Sequence, residues 1–283
     1  QTSAPGSRPT PPVDPNYVGT ELELFAAAVN WKAYVRSCIG PRLRGAVLEV
    51  GAGQGGTTRL LCQGDVRRWT CLEPDPELFR RLETEIKSGG LPPVCRAVNG
   101  SIEAIGAEER FDSILYMDVL EHLKDDRAEL KRAARVLAPG GHLIILSPAH
   151  PWLYTPFDEA IGHFRRYTRG ALQALNPPGL ELVLNRYLDA AGLLASLGNR
   201  LLLKSAMPTA GQIALWDRGL VPISRHIDRL LFHAVEVGAV RLPEAVIAEQ
   251  SIEEGDGVSL LKQVNAGVPR LLQAPDRRWV EGW

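Results

Sequence analysis

The sequence predicts an α/β chain built on a doubly wound, mostly parallel sheet with helices on both faces. Two observations carry that prediction. Between residues 46 and 146, short apolar runs alternate with amphipathic segments, the rhythm of strands joined by crossover helices. One of those runs, Val47-Leu48-Glu49-Val50, opens into a glycine-rich turn followed by a helix-forming segment. Composition agrees: 45% of the 283 residues are apolar, enough for a core and too many for wholesale disorder.

Residues 1–16 are rich in proline and offer little to bury, so a disordered tail is expected there. From Glu21 to Cys38, Leu22, Phe25, Ala26, Val29 and Ala33 recur at helical spacing, and Gly40-Pro41 ends the segment. Ala46–Val50 reads as a strand, and a helix begins at Thr57–Leu61. Trp69–Leu72 is a strand; Pro76–Lys87 is a helix with Leu78, Phe79, Leu82 and Ile86 on one face. Val94–Val98 and Phe111–Tyr116 are strands, Asp125–Leu137 a helix stopped by Pro139-Gly140-Gly141, and His142–Leu146 a strand. Beyond Ser147 the rhythm changes. A short helix near Arg169–Leu175 and a strand at Leu180–Tyr187 are expected, then helices at Leu188–Leu203 and Gln212–Phe232. Gly257–Val264 is a candidate late strand, while 233–255 and 265–283 carry little pattern.

Charge and apolar length exclude several function classes. Lys plus Arg number 32 against 33 Asp plus Glu, with no basic stripe, so no nucleic-acid partner is expected. The longest near-apolar stretch, Leu188–Leu203, carries Asp189, Asn199 and Arg200 and is too short and polar to cross a bilayer. No basic region followed by an apolar run opens the chain, so a cytoplasmic location is expected. Cys38, Cys62, Cys71 and Cys95 form no CxxC pair, so no zinc site is expected and all four read as reduced thiols.

The sharpest local signal is Glu49-Val50-Gly51-Ala52-Gly53-Gln54-Gly55-Gly56-Thr57. Glycines at a strand-to-helix turn let the backbone bend tightly and approach a ligand. The spacing is GxGxG rather than the GxxG-ending dinucleotide form. Glu49, two residues before Gly51, would repel a pyrophosphate but suits a cationic amino-acid end. Glu73 closes the second strand 20 residues after Gly53, where a carboxylate can accept both hydroxyls of a ribose.

These segments, with Phe111-Asp112-Ser113-Ile114-Leu115 and Leu137-Ala138-Pro139-Gly140-Gly141, resemble the successive motifs of class I S-adenosylmethionine-dependent methyltransferases, in order and in spacing. The resemblance covers Trp31 to Tyr187 well and the last third poorly. It implies a Rossmann-like, seven-stranded sheet with an antiparallel final hairpin, for which Leu180–Tyr187 and Gly257–Val264 are the candidates. It further implies S-adenosylmethionine as cofactor, with Glu49, Gly51, Gly53 and Gly55 at its methionine end, Glu73 on the ribose, and Pro74, Ser101 and Ile102 beside the adenine. Met117 and Asp118 would lie beneath the sulfonium. The expected organisation is one domain over 17–283: a helical cover at 17–44, a cofactor-binding core at 45–147, and a substrate-side and C-terminal part at 148–283.

Acceptor residues should lie outside the carboxyl ends of the strands. Asp118-Val119-Leu120-Glu121-His122 resembles a segment of quinone-biosynthesis methyltransferases. It admits three readings: a helix cap and packed histidine, His122 as a base, or Asp118, Glu121 and His122 as ligands of a divalent ion; the metal reading is not adopted. Gly162-His163-Phe164-Arg165-Arg166-Tyr167-Thr168, after Asp158, resembles a stretch found in some bacterial class I methyltransferases. His163 and Tyr167 are candidate proton-transfer residues and Arg165 and Arg166 candidate anion binders; the alternative is a buried polar knot centred on Asp158. His150, Trp152 and Tyr154 are candidate walls for a flat acceptor. The expected function is methyl transfer to a small aromatic, quinone-like or secondary-metabolite acceptor. A nicotinamide-dependent oxidoreductase and a non-catalytic cofactor-binding protein are the alternatives. The N-terminal helix and residues 233–255 are candidate homodimer contacts.

Overall fold

The computed structural model describes residues 27–198, 209–228 and 235–243. Seven strands form one sheet: β1 (Gly45–Val50), β2 (Val66–Glu73), β3 (Cys95–Asn99), β4 (Phe111–Met117), β5 (Leu137–Pro148), β6 (Glu181–Leu188) and β7 (Val235–Arg241). Their order is β3-β2-β1-β4-β5-β7-β6, with only β7 antiparallel to its neighbours. The chain leaves β1 toward β2 on one side and returns to β4 on the other. That reversal of strand order opens a crevice at the carboxyl ends of β1 and β4.

The apolar runs are continuous because both faces of the sheet are covered. Val47, Leu115, Ile144 and Leu146 pack on one face with Trp31, Val35, Leu61 and Leu82. Leu48, Ile114, Tyr116, Leu143 and Ile145 pack on the other with Ile102, Leu130, Ala133 and Leu172. Among the described residues, four α-helices flank the strands in the first half: α1 (Val29–Ile39), α2 (Thr58–Leu61), α3 (Pro76–Lys87) and α4 (Asp126–Arg135). The helix expected to reach Leu137 stops at Arg135, because Leu137 already pairs with Phe111 and starts β5. The N-terminal helix is seen as Val29–Ile39; the portion expected before residue 27 lies outside the described residues.

The second half departs most from expectation. The strand that completes the sheet is Val235–Arg241, not Gly257–Val264, which lies outside the described residues. After α5 (Pro156–Ala160) and α6 (Arg169–Gln173), the β6–β7 connection carries α7 (Ala190–Gly198), α8 (Ala210–Leu215) and α9 (Val221–Ile227). A wide π turn over Trp216–Leu220 joins the last two. This insertion grips α1 from a distance. The α1 N-terminus has no side-chain cap of its own. The buried Asp217 carboxylate instead accepts the Trp31 N–H at 2.8 Å and the Asn30 N–H at 3.2 Å. All four cysteines are free and buried. Among the described residues, no helix is long and apolar enough to cross a membrane.

Candidate active site

Beyond β1 the chain turns through Gly51, Gly53 and Gly55 at φ 70°, 56° and 79°, a region that a side chain disfavours. A Cβ on Gly51 would also stand 2.6 Å from Val119 Cγ2. The Gly51 and Ala52 N–H groups donate to Leu72 O at 2.8 and 3.1 Å, fastening the turn to the end of β2. Glu73 completes the fastening. Its Oε2 accepts the Gly53 N–H at 2.8 Å and its Oε1 the Asp75 N–H at 2.9 Å. Each oxygen keeps a second lone pair that a hydroxyl can use. Burial pushes the Glu73 carboxyl up, against the pull of those two amides.

Glu49 lies under the same turn, only 1% exposed. Its Oε2 accepts from Thr58 Oγ1 at 2.5 Å and from Trp69 Nε1 at 2.8 Å. Burial pushes its carboxyl up to about 7, although both bonds and the Lys32 charge act the other way. Lys32, on α1, is itself pulled down by burial, and its ammonium donates to Gly56 O at 3.3 Å. The helical cover is thus tied by a cation to the glycine turn. Pro74 and Ser101 are exposed at the far end of the turn, and Ser101 donates to Glu103; Ile102 is buried. Met117 is half-buried at the end of β4, followed by Asp118 at φ 55°. Asp118 keeps contact with solvent, yet the surrounding protein pushes its carboxyl up to about 6 against the charges of His163 and Lys32.

A second cluster forms where the turn after β4 meets the loop after β5. Glu121 is fully buried. Its Oε2 accepts from Ser147 Oγ at 3.1 Å, while its Oε1 has no hydrogen-bond partner and lies 3.9 Å from His163 Nε2. Burial, reinforced by the Asp118 charge, holds the Glu121 carboxyl well above its ordinary range. His163 Nδ1 meets Asp158 Oδ1 at 3.0 Å, which favours the tautomer with the proton on Nδ1 and leaves Nε2 facing Glu121. His122 crosses the His163 ring edge-on at 4.6 Å; burial and His163 pull it down to about 4. The donor atoms of Glu121, His122 and His163 lie within 4.8 Å of one another, so among the described residues these three, rather than Asp118, Glu121 and His122, are the group that could share a cation.

Several expected acceptor contacts are turned inward. Tyr167 is buried, and its hydroxyl reaches Asp126 Oδ2 at 2.8 Å and Leu120 O at 3.2 Å; burial and Asp126 push it far above its usual range. Arg165 bonds Asp126 Oδ2 at 2.6 Å and Lys124 O at 2.9 Å. Arg166 grips Asp158 with two bonds, 2.7 and 3.0 Å. Each arginine thus neutralises a buried acid, and the buried Tyr167 braces the loop against α4. Tyr154 donates to His163 O at 2.6 Å. The His150 and Trp152 rings lie side by side, with centroids 5.7 Å apart. Tyr187, at the end of β6, joins them with its ring 4.8 Å from that of His150. Sequence reasoning passed over Lys32, Ser147 and Tyr187. Ser147 and Tyr187 sit at strand ends, which was a usable signal; Lys32 on a helix surface gave none.

Residues 48–145 match the family described as a methyltransferase domain. The chain is 29% identical over 161 residues to a demethylmenaquinone methyltransferase of Tropheryma whipplei, covering 56% of this chain and 63% of that protein. It is 26% identical over 146 residues to a ubiquinone/menaquinone biosynthesis C-methyltransferase of Klebsiella pneumoniae, covering 50% of this chain and 58% of that one. The matched region therefore spans less than two thirds of either relative. Among solved structures, the N-methyltransferase NodS of Bradyrhizobium japonicum, in complex with S-adenosyl-L-homocysteine, superposes with a TM-score of 0.51 at 18% identity, covering 82% of this chain and all of that one. At that identity the likeness speaks for the fold alone.

Proposed function

Because residues 48–145 form a methyltransferase domain of the class I, S-adenosylmethionine-dependent type, we propose that the chain transfers a methyl group from S-adenosylmethionine to a small aromatic or quinone-like acceptor. One observation supports the reading above the others: Glu73 is hydrogen-bonded to the glycine turn through Gly53, so the acid for the ribose and the turn for the methionine end are one rigid unit. When bound, the cofactor supplies an activated methyl on a sulfonium. The protein's own residues then align the partners and manage a proton. Glu49 and Lys32 set the charge beneath the turn, and Glu73 offers free lone pairs to two hydroxyls. His150, Trp152 and Tyr187 receive the flat acceptor. His163, oriented by Asp158, takes the acceptor proton on Nε2 when the acceptor is a hydroxyl.

The test is calorimetry with S-adenosylmethionine and S-adenosylhomocysteine, followed by measurement of S-adenosylhomocysteine formed with a reduced naphthoquinone and a dihydroxybenzoate as acceptors. No binding of either cofactor form overturns the reading. His163→Ala should lower turnover by about 10²–10⁴-fold with cofactor affinity little changed; equal loss of both removes the base assignment. A second reading draws on the unpartnered Glu121 Oε1 beside His122 and His163. A divalent cation there would polarise the acceptor oxygen and make a separate base unnecessary. Turnover abolished by a chelator and restored by Mn²⁺ or Zn²⁺ would select it.

A further inference from the structure

A cavity of about 470 Å³ opens beside the carboxyl end of β6, lined by Tyr34, Ser37 and Cys38 of α1, Arg186 to Leu188 of β6, and Arg225 and Asp228 at the end of α9. Its volume is that of a small-molecule site. β6 runs parallel to β5 across the antiparallel β7, so this mouth lies on the same edge of the sheet as the glycine turn. Tyr187 lines the cavity, and its ring, on the opposite face of β6 from Arg186, lies on His150, so the aromatic wall and the cavity meet only at the carboxyl end of this strand.

The charge of the lining is unusual. Asp228 is committed to the fold: it accepts the Asp189 and Ala190 N–H groups at 2.5 and 2.9 Å, anchoring the start of α7, and the Tyr34 hydroxyl at 2.7 Å. Burial and Asp228 keep the Tyr34 phenol protonated, and burial pushes the Cys38 thiol up, so both are neutral. Arg186 and Arg225 remain. Neither makes an ion pair among the described residues, in contrast to Arg165 and Arg166, although Arg225 lies over the Tyr34 ring at 6.0 Å. Two guanidinium groups around one concavity, whose one acid among the described residues is already engaged, are the donors that an anion would need.

We propose that this cavity binds a carboxylate or phosphate group carried by the methyl acceptor, with Arg186 and Arg225 as its recognition residues. The proposal rests on the methyltransferase reading for the word acceptor; the anion site itself does not. An acceptor whose ring lies on His150 and Tyr187 would reach the arginines with an acidic tail that passes over the carboxyl end of β6.

The experiment titrates the full chain with inorganic pyrophosphate and, separately, with 4-hydroxybenzoate. S-adenosylhomocysteine is kept saturating, so that the glycine turn is not available to either anion. Binding is followed by calorimetry and by thermal shift. Wild type should bind at least one probe, more weakly as salt rises. Arg186→Gln and Arg225→Gln should each weaken binding by about tenfold, and the double variant should abolish it. Both side chains are on the surface, and circular dichroism checks that the variants fold. Equal affinity in wild type and the double variant, or no binding of either probe to wild type, overturns the proposal. Pyrophosphate bound without 4-hydroxybenzoate overturns the acceptor assignment in favour of a free phosphate ligand. Affinity for S-adenosylhomocysteine, measured in the same series, is the separate readout of the methyltransferase reading.

Discussion

Replacing Asp158 separates a structural knot from a catalytic loop. The side chain is fully buried. It accepts from the Thr155 N–H at 2.8 Å, Thr155 Oγ1 at 2.9 Å, Arg166 Nε at 2.7 Å, Arg166 Nη2 at 3.0 Å and His163 Nδ1 at 3.0 Å. Burial alone would raise its carboxyl; the bonds from His163 and Arg166, with the Arg166 charge, outweigh that and hold it well below the usual carboxylate range. Asp158→Ala strands a nearly buried guanidinium and leaves the start of α5 uncapped. Removing one partner of such a pair costs about 3–5 kcal/mol. Asp158→Asn keeps acceptors for Thr155 but not the charge, and should cost about 1–3 kcal/mol. Because the folded group is depressed, its contribution is fully present above the ordinary carboxylate value of 3.8 and fades as pH falls below it. The assay is urea unfolding at pH 7, comparing midpoints at constant m-value. Cofactor affinity is measured on the same samples and should hardly move, since Asp158 touches neither the glycine turn nor Glu73. An alanine variant within about 1 kcal/mol of wild type would refute the reasoning, because only an exposed or unstrained pair behaves so.

Three further outcomes test other links. Gly51→Val should abolish S-adenosylmethionine binding in calorimetry, because its backbone is at φ 70° and its Cβ would stand 2.6 Å from Val119; normal affinity would remove the glycine turn from the cofactor site. Glu49, pushed from its ordinary 4.5 up to about 7, keeps a proton in the folded state that the unfolded chain has released. Its contribution therefore opposes folding increasingly as pH rises from 4.5 to 7, by roughly 3 kcal/mol in all. Unfolding at pH 5 and pH 8 should show Glu49→Gln with a flatter pH dependence than wild type, and parallel profiles would contradict this. Asp217→Ala should cost about 1–2 kcal/mol, the usual loss for a helix cap, and raise hydrogen exchange in the first turn of α1; unchanged exchange there would mean that the insertion does not anchor the cover.

The sheet was legible because its first five strands announce themselves locally. β1, β4 and β5 and the second half of β2 are apolar runs buried on both faces, β3 is a shorter half-buried run, and each is followed by a turn or helix signal. The glycine turn was legible for the same reason: Gly51, Gly53 and Gly55 are needed at positive φ by the backbone itself, whatever the rest of the chain does. β7 was not. Its Val-Glu-Val-Gly-Ala-Val-Arg run is broken by Gly238, and its pairing depends on β5 and β6 strands that lie far off in sequence. The insertion's hold on α1 was equally invisible, since Asp217 caps a helix 186 residues away.

The loop after β5 shows why composition misleads at a site. Two acids, one histidine, two arginines and a tyrosine within ten residues suggested an acceptor-binding surface. Most of those charges are consumed nearby: Arg166 by Asp158 eight residues before it, Arg165 and Tyr167 by Asp126 on α4. A guanidinium beside a carboxylate of opposite charge loses little by being buried, whereas one without a partner must stay in water or wait for a ligand. Among the described residues Arg186 and Arg225 make no ion pair, and neither stands in a motif. Recognition of the acceptor is therefore to be sought in the isolated arginines at the end of β6 and on α9, and the crowded segment that first drew attention serves to hold His163 still.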